Sequence, residues 1–410
     1  MYLKAERVIT TWAMGVTQHL HSVQTIREIA SFMFLKGNIG REGAGLCPVR
    51  GHSNVQGDRT VGINEKAPAA FLDALEKELG VTLPREPGHN VTHAIGAMLE
   101  GTVKAFVALG GNFARAVPDS SLVADAFRNL DLTVNIATKL NHGHLMPGKA
   151  SYVLPCLGRT EIDRNSKGER QMITVEDSMS MVHGSSGINL PASKSLKSEI
   201  GIIAGMAKAT LGSDVVNWDE MAEDYDKIRD MIARVLPSFG DFNTQVRKPR
   251  GFWLRNSASH REWKTTTGLA NFGTDDLRDR TEWQEVKGEN GKFVLQTFRS
   301  HDQYNTTIYG MDDRYRGVYG IRNVVFINPK DMEKNGLSDG DLVDLIGCFD
   351  DGRHRACKGF RVVPYDTPYG CLAGYYPEMN ELVPHQTVGD QSYTPTSKSV
   401  IVKIEPHQSA

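Results

Sequence analysis

The stretch KAFVALGGNFARAVPDSSLVADAFRNLDLTVNIA, residues 104–137, decides the fold class of this chain. It opens with an apolar run that ends in a Gly-Gly-Asn turn at 110–112, which is typical of a buried strand. Ser120 or Ser121 can then open a helix with one apolar face, and LTVNIA at 132–137 forms a second strand. A strand–helix–strand unit of this length predicts a parallel sheet.

The carboxyl ends of these strands are where a ligand is expected, because ligands of parallel sheets bind outside the strand ends. Residues 110–115 follow the first strand and residues 138–144 follow the second. A third short strand, SYVLP at 151–155, comes next. The sequence therefore predicts a binding edge built from the residues after these strands.

Apolar periodicity predicts the elements on either side of this unit. Residues 6–15 favour a strand, and Ser22 can cap a helix that Gly37 ends. Further helices are expected at residues 67–79, 196–211 and 218–236. These elements extend the α/β region to about residue 245.

The composition changes after about residue 245. Trp, Gly, Asn and Thr dominate up to about residue 290, which predicts an irregular crossing segment. One short helix is expected to start at Pro329. Six short apolar runs follow the segment, at 293–298, 323–328, 341–346, 359–363, 370–376 and 400–404. Their spacing predicts a small β-barrel.

The glycine-rich stretch GNIGREGAGLCPVRGHSNVQG, residues 37–57, predicts a ligand-binding loop. Glycine loses more backbone entropy on folding than other residues and brings no side chain to pack. Arg50 and His52 lie between the glycines. Arg50 can bind an anion through two N–H groups, and His52 can donate a proton near neutral pH. The alternative is that both are ordinary surface residues. We expect a large, polar, anionic ligand here.

Composition excludes several classes of protein. A formal net charge of −2 over 410 residues gives no argument for nucleic acid or an anionic membrane surface. No run of about 18 apolar residues predicts a membrane span. Five cysteines without a CxxC pair argue against a disulfide framework and against a self-contained zinc or iron–sulfur site. We expect reduced thiols in a cytoplasmic protein and no metal ligands in this chain.

Three other motifs leave alternatives open. GHLMPGK at 143–149 matches the start of a phosphate-binding P-loop, but Ala150 stands where Ser or Thr should be, and a strand follows instead of a helix. The histidine pairs at 19/21 and 142/144 lack a third zinc ligand. The polar run RSHDQYNT at 299–306 predicts either a solvated loop or a wall of a binding site.

Taken in order, several stretches resemble the molybdopterin oxidoreductase superfamily, which includes formate dehydrogenases and dimethyl sulfoxide reductases. They are TWAMGVTQH at 11–19, the 37–57 loop, ALGGN at 108–112, YVLP at 152–155, RSHDQYNT at 299–306, INPKDMEKNGLSDGDLVDL at 327–345, and finally Asn380 and Lys398. The branch that the chain resembles most is the soluble formate-dehydrogenase-like alpha subunit group of bacteria.

The resemblance implies a fold, a domain division and a cofactor. The fold would be an α/β Rossmann-like parallel-sheet region at 1–245, an irregular connecting segment at 246–290, and a C-terminal double-psi β-barrel at 291–410. The cofactor would be bis(molybdopterin guanine dinucleotide) carrying molybdenum or tungsten. The implied cofactor-binding residues are Gly15, Gln18, His19, Gly110, Gly111, Asn112, Thr138, Lys139, Arg299, Ser300, His301, Asp302, Gln303, Tyr304, Asn305, Asn380 and Lys398.

The same resemblance gives Arg50 a role as the residue that orients a substrate anion. Formate dehydrogenases carry Arg-Gly-Gln where this chain has Arg50-Gly51-His52, and residues 58–60 also depart from the family pattern. Formate, another small oxyanion or an oxo-transfer substrate all remain open. Arg50 and His52 are the predicted catalytic residues.

Family members begin with several hundred further residues that carry a 4Fe–4S cluster and the metal-ligating side chain. This chain is therefore expected to be the C-terminal part of such an oxidoreductase, inactive alone, with an electron-transfer partner and a small-molecule substrate for the complete enzyme. The alternative is a cofactor-binding module or partner subunit without catalysis of its own.

Overall fold

The computed structural model describes residues 1–275, 286 and 291–408. Part of the predicted connecting segment 246–290 lies outside the described residues. Within the described part of that segment lie a two-residue strand, Phe252–Trp253, and a 3₁₀ helix, Ser257–His260.

The predicted parallel unit is present. Strands β3 (Ala105–Leu109), β4 (Leu132–Ala137) and β5 (Ala150–Pro155) form a parallel sheet in that order. The connection from β3 to β4 contains α5 (Phe113–Ala116) and α6 (Ser120–Arg128).

Helix α6 begins at Ser120, as predicted, and the residue before it takes the cap position. Asp119 is the cap residue, and its backbone is left-handed with φ of 60°. The carboxylate of Asp119 is held by Arg355 from the barrel, so a contact distant in sequence fixes the start of the helix.

The N-terminal part contains a second, smaller parallel pairing. Strand β1 (Ile9–Trp12) pairs with β2 (Gly45–Pro48), so the predicted strand at 6–15 is shorter and the glycine-rich stretch contains a strand. Helix α1 (Ser22–Leu35) lies between them, and its cap position is His21, not Ser22. The following helices are α2 (Val55–Thr60), α3 (Ala69–Leu79) and α4 (Val91–Leu99).

The middle of the chain adds an antiparallel sheet that the sequence did not predict. It consists of β6 (Ile173–Glu176), β7 (Met181–Ser185) and β8 (Phe252–Trp253). The helices here are α7 (Glu199–Leu211), α8 (Trp218–Glu223), α9 (Tyr225–Val235) and α10 (Phe242–Val246).

The helix predicted at 218–236 is two helices. Asp224 leaves the helical conformation with φ of −142°, and its carboxylate accepts a hydrogen bond from the Asp226 N–H at 3.0 Å. An aspartate at this position satisfies the free N–H groups at the start of α9, so the side chain ends one helix and caps the next.

The C-terminal region is a closed six-stranded barrel. Its strands are β9 (Lys292–Phe298), β10 (Val324–Ile327), β11 (Leu342–Gly347), β12 (Ala356–Pro364), β13 (Cys371–Tyr375) and β14 (Val400–Pro406), in the order β10-β12-β11-β14-β9-β13. The pairings are both parallel and antiparallel. Each strand corresponds to one of the six predicted runs.

The barrel interior is a continuous apolar core. Leu295, Val325, Val343, Val362 and Val402 are all fully buried. The helix predicted to start at Pro329 is α11 (Pro329–Lys334), and Asn328 caps it by accepting from the Lys330 N–H at 3.0 Å. Proline fits the first helical position because its missing N–H would have no partner there.

A buried ion-pair network joins the barrel to the parallel sheet region. Arg355 donates to Asp119 Oδ2 at 2.7 Å and to both carboxylate oxygens of Asp351. The Asp119 N–H donates to the carbonyl of Asn380 at 2.8 Å. These contacts hold the start of α6 beside the barrel.

Candidate functional site

The loop with Arg50 and His52 lies against the polar run of the barrel. Nδ2 of Asn305 and Nε2 of His52 are 2.7 Å apart, and the His52 ring contacts the Tyr304 ring edge-on at 5.9 Å between centroids. Arg50 donates to Oε1 of Gln56 at 3.0 Å, and its guanidinium is exposed. The structure therefore brings together two groups of predicted site residues that are about 250 positions apart in sequence.

Two consecutive hydrogen bonds, from Tyr376 to Asn305 and from Asn305 to His52, determine which ring nitrogen of His52 is the acceptor. The Tyr376 hydroxyl donates to Oδ1 of Asn305 at 3.1 Å, and Nδ2 of Asn305 then donates to Nε2 of His52. Burial raises the pKa of Tyr376 to about 12, so the phenol keeps its proton at neutral pH. With Nε2 as the acceptor, the neutral ring of His52 carries its proton on Nδ1.

Asn54 anchors the other side of this loop. Its backbone is left-handed with φ of 65°, and its Oδ1 accepts from the Glu176 N–H on β6 at 3.0 Å. Its Nδ2 donates to Asp58 at 2.9 Å. Gly57 is buried beside it, and an added Cβ would lie 2.0 Å from Asn54 Oδ1. Asn54 thus ties the Arg50–His52 loop to the middle sheet.

Three basic side chains meet where residues 15–22 contact the barrel. His19 lies 3.1 Å from the hydroxyl of Ser399, and the neighbouring Lys398 donates to the carbonyl of Thr297. Burial and then Arg299 lower the pKa of Lys398 to about 8, and burial and then Lys398 lower the pKa of His19. Among the residues that the structure describes, none of the three forms an ion pair.

Much of the polar run at 299–305 is engaged within the barrel. Ser300 and Gln303 both bind Arg322, which also forms a buried ion pair with Glu378. Gln303 also donates to the carbonyls of Asn305 and Tyr376 at 2.7 and 2.6 Å. Their side chains hold the loop in shape.

His301 is part of a second network. Its Nδ1 lies 2.9 Å from Oδ1 of buried Asp313, whose other oxygen accepts from Arg316 and from the Tyr375 hydroxyl. Burial alone would raise the pKa of Asp313, but the hydrogen bonds from Arg316, Tyr375 and His301 lower it to about 2. Asp302 is exposed with φ of 60°, and Tyr304 is also exposed.

The predicted turn at 110–112 lines a small cleft at the carboxyl end of β3. Asn112 donates to the carbonyl of Thr306 at 3.2 Å and accepts from the Gly143 N–H at 3.0 Å. Asn141 donates to the Gly111 carbonyl at 2.9 Å. The cleft thus joins this turn to residues 141–144 and to the end of the polar run.

The remaining predicted residues occupy three kinds of position. Gly15 has open space around it, and Gln18 is half-buried at the end of a 3₁₀ turn. Thr138 and Lys139 are exposed just beyond β4. Asn380 is buried, and its amide donates to the Arg115 carbonyl at 3.0 Å, so its side chain is used to join the two regions.

The sequence analysis missed Tyr376, Asn54 and Arg322. Tyr376 belongs to a predicted strand, and Arg322 stands just before another, so both were treated as structural positions. Asn54 lies inside the glycine-rich loop. Asparagine adopts the left-handed conformation more readily than most residues, so its residue type could have indicated a turn at this position. Each of the three has a partner 54 or more positions away, beyond any local pattern.

The other motifs carry no site. Lys149 of the P-loop-like stretch forms an exposed ion pair with Asp131 at 2.6 Å, and β5 begins at the next residue in place of a helix. Within the described ranges, no group of three or more His, Cys, Asp or Glu side chains is placed to hold a metal ion. All five cysteines are free thiols. Over the same ranges, no helix is long and apolar enough to cross a membrane.

Comparison with known proteins places these features in a family context. Residues 293–401 match the family described as "Molydopterin dinucleotide binding domain". An uncharacterized oxidoreductase of Mycobacterium tuberculosis is 51% identical over 412 residues, covering 99% of this chain and 52% of that protein. Formate dehydrogenase H of Escherichia coli is 32% identical over 143 residues, 33% of this chain and 20% of that enzyme.

A solved structure, acetylene hydratase from Pelobacter acetylenicus, has a similar fold. It aligns with a TM-score of 0.50 at 14% identity, over 82% of this chain and 50% of that chain. At this identity the similarity concerns the fold alone. The chain spans about half the length of the curated relatives that it matches over nearly all of its own length.

Proposed function

Because the chain belongs to the molybdopterin oxidoreductase superfamily, we propose that it contributes one side of a molybdopterin guanine dinucleotide cradle in an oxidoreductase. The same proposal assigns the Arg50–His52 loop to the substrate side of that cradle. The domain match supports a molybdopterin-type cofactor. We further propose that the cofactor is the bis form, that it carries molybdenum or tungsten, and that the whole enzyme is an oxidoreductase.

The observation that carries this proposal is the basic cluster of His19, Arg299 and Lys398. Packing cations together without a carboxylate is unfavourable unless an anion compensates them, and here burial and Arg299 already lower the pKa of Lys398 to about 8. A pyrophosphate carries that charge and accepts several hydrogen bonds. The donor set therefore fits the phosphates of a dinucleotide.

The domain division follows from the same reasoning. We assign residues 1–245 to a Rossmann-like region and residues 291–410 to a double-psi barrel, with 246–290 between them. Gly110, Gly111, Asn112, Thr138 and Lys139 follow β3 and β4, and ligands of parallel sheets bind at that edge. These residues would hold one nucleotide. Gly15 and Gln18 would approach the same group from the N-terminal side.

Within the polar run, the side chains that are not hydrogen-bonded to Arg322 would make the main ligand contacts. They are Arg299, Asp302, Tyr304 and Asn305, whereas Ser300 and Gln303 are hydrogen-bonded to Arg322. His301 would present the ring nitrogen that Asp313 leaves free. Asn380 would act by holding the α6 cap against the barrel, since its amide is already used.

The cofactor, when bound, supplies two-electron chemistry at its metal. The chain's own residues would orient the substrate: the exposed Arg50 guanidinium binds an anionic group, and His52 offers the proton on Nδ1. Formate, another small oxyanion or an oxo-transfer substrate would fit this pair. The free thiols support a cytoplasmic location. An electron-transfer partner and any 4Fe–4S cluster would lie outside this chain.

The alternative function is a cofactor-binding module without catalysis of its own. The matched domain covers residues 293–401, and the engaged state of Ser300 and Gln303 favours a mainly structural use of that region. An exposed Arg50 held beside His52 favours the catalytic version, because a carrier has no need of a substrate pocket.

Two measurements test the proposal. The chain is purified from a molybdate-replete and from a tungstate-replete host, and bound metal, pterin and guanine nucleotide are quantified. We expect pterin and guanine nucleotide to be retained. Arg299→Ala should lose them, whereas Lys403→Met, at an exposed position of β14, should keep them. Absence of all three from the parent chain would refute the cofactor assignment.

The roles of Arg50 and His52 are tested separately. Arg50→Ala and His52→Gln are assayed in the cofactor-loaded enzyme against a panel of small oxyanions that includes formate. We expect Arg50→Ala to raise KM and His52→Gln to lower kcat. Unchanged kinetics in both variants, with normal cofactor content, would assign this loop to the surface and favour the binding-module alternative.

A further inference from the structure

A tight turn of the barrel presents two apolar side chains beside the Arg50–His52 loop. The Tyr304 N–H donates to the Ile308 carbonyl at 2.7 Å, and the Ile308 N–H donates to the Tyr304 carbonyl at 3.3 Å. Antiparallel residues paired in this way carry their side chains on the same side of the backbone. Because the Tyr304 ring contacts the His52 ring at 5.9 Å between centroids, Ile308 lies on the side that faces His52. We call Tyr304 and Ile308 the apolar pair.

The apolar pair is exposed although the turn that carries it is anchored. Tyr304 is 48% exposed and Ile308 is 59% exposed. Thr306, which lies between them, is buried, and its carbonyl accepts from Nδ2 of Asn112 at 3.2 Å. The carbonyl of Asn305 accepts from the side chain of Gln303 at 2.7 Å. These contacts fix the turn so that both apolar side chains stay on its outer surface.

Groups that bind an anion lie next to the apolar pair. The Arg50 guanidinium is exposed and donates to Oε1 of Gln56 at 3.0 Å. That partner is a neutral amide, so it does not compensate the charge of the guanidinium. His52 follows two residues later, and because its Nε2 faces Nδ2 of Asn305 at 2.7 Å, the neutral ring donates through Nδ1. The surface therefore combines a cation, an N–H donor and an apolar pair.

The apolar pair distinguishes between small anions of different size. Formate binds fully to Arg50 and His52 and has no carbon chain to place against Tyr304 or Ile308. Each methylene group that is buried against apolar side chains raises affinity about threefold to fourfold. An anion with several carbon atoms therefore gains from the apolar pair what formate cannot. Binding sites for organic molecules commonly join an apolar wall to a few polar groups in this way.

We propose that the substrate of the Arg50–His52 loop is an organic anion, a carboxylate that carries an aliphatic chain or ring, and not formate. The carboxylate would bind Arg50 and the N–H of His52, and the apolar part would lie against Tyr304 and Ile308. This inference rests on the proposed function, because it takes this loop as the substrate side of the cradle. It uses the ring of Tyr304, whereas the cofactor contact assigned to Tyr304 would be made by its hydroxyl.

The experiment measures how affinity depends on the length of the apolar chain. Formate, acetate, propanoate, butanoate and pentanoate are titrated into the purified 410-residue chain. NMR signals of the His52 ring report binding at this site, and their absence from His52→Gln assigns them. The variants are Ile308→Ala, Tyr304→Ala and Arg50→Ala. The control is Tyr319→Ala, since Tyr319 is an exposed tyrosine between the same two strands. Circular dichroism verifies that each variant is folded.

We expect the affinity of the parent chain to rise about threefold for each methylene added from acetate to pentanoate. Ile308→Ala and Tyr304→Ala should flatten this increase, because they remove the apolar surface and keep the anion-binding groups. Tyr319→Ala should keep the increase. Arg50→Ala should weaken all five carboxylates by a similar factor of about ten or more, because it removes the charge that they share.

Three results would overturn the proposal: no detectable binding of any carboxylate, equal affinities of all five, or the same increase per methylene in Ile308→Ala and Tyr304→Ala as in the parent. Guanine nucleotide retention is measured on the same preparations. Normal retention with equal affinities would refute the substrate class alone. Loss of the nucleotide from the parent chain, together with the expected increase, would refute the cofactor assignment and leave the organic anion site in place.

Discussion

His52 is the residue at which the candidate site depends most on a single hydrogen bond. Asn305 donates to its Nε2 at 2.7 Å, and the Tyr376 hydroxyl fixes the orientation of that amide. Of the two tautomers of the neutral ring, an N–H donor opposite Nε2 selects the one with its proton on Nδ1. The proton that His52 can deliver is therefore set by two barrel residues, not by the loop that carries the histidine.

Replacing this donor should change the tautomer of His52. In Asn305→Asp, a carboxylate faces Nε2 and can only accept a hydrogen bond, so we expect the ring proton to move from Nδ1 to Nε2. The measurement is nitrogen-15 NMR of the ring nitrogens. Tyr304→Phe is the control, since that ring contacts His52 without a hydrogen bond to it. Equal ring-nitrogen chemical shifts in Asn305→Asp and in the parent would show that this contact does not form in solution.

The side chain of Lys398 should lower the stability of the cofactor-free chain and strengthen its binding of an anion. Its pKa is about 8 in the folded chain against 10.5 ordinarily. Between these values the unfolded chain holds the proton and the folded chain does not. Its contribution to stability therefore increases as pH rises from about 8 to 10.5, while its attraction for an anion falls as pH rises through about 8.

Lys398→Met should therefore stabilise the cofactor-free chain by about 1–3 kcal/mol at pH 7 and weaken its binding of guanosine diphosphate. Thermal unfolding and isothermal titration calorimetry measure the two effects. Lys403→Met is the matched control on the exposed side of β14. A Lys398→Met chain that is less stable than the parent would contradict the cost of burying the ammonium group. Normal binding of the nucleotide by this variant would contradict a contact between Lys398 and a phosphate.

At the scale of elements, the start of α2 requires glycine at position 57. A Cβ there would lie 2.0 Å from Oδ1 of Asn54 and 3.2 Å from Cβ of Glu176. Asn54 would have to give up its bond to the Glu176 N–H. The glycines of this loop are thus not equivalent, because Gly51 has open space around it.

Gly57→Ala should destabilise the chain by about 1–3 kcal/mol, as expected for an overpacked buried site. Gly51→Ala should change the free energy of unfolding by less than about 0.5 kcal/mol. Urea unfolding compares the two. If Gly57→Ala were as stable as Gly51→Ala, the contact between α2 and β6 would not be a close one, and Asn54 would not anchor the Arg50–His52 loop.

At the scale of the whole molecule, Arg355 couples the barrel to the parallel sheet region. Its side chain is 3% exposed and that of Asp119 is 1% exposed. The hydrogen bond from Arg355 is the main cause that lowers the pKa of Asp351 to about 2. Removing one member of such a network leaves a buried charge without its partner.

Arg355→Leu should cost about 3–5 kcal/mol of stability and separate the unfolding of the two regions into distinct transitions. Arg353→Leu is the control, since that side chain is 39% exposed and lies 3.9 Å from Asp125. Calorimetry distinguishes one transition from two. A single transition in Arg355→Leu at the parent temperature would mean that apolar packing alone joins the regions.

The sequence by itself determined the elements that local patterns specify. Residues 104–137 predicted β3, α6 and β4, and six apolar runs predicted the strands of the closed barrel, because apolar periodicity and turn residues act within a few positions. Shorter features were less well determined: the strand at 6–15 shrank to β1, and the β6–β7 hairpin was missed.

Only the tertiary structure decided which partners the polar residues of the candidate site have. Ser300 and Gln303 have the same polar character as Asn305, yet Arg322 binds the first two and leaves the third beside His52. The same holds for Lys398, whose lowered pKa comes from burial and from Arg299, which is distant in sequence. Burial and charge pairing depend on contacts between residues far apart in sequence, and no local pattern encodes them.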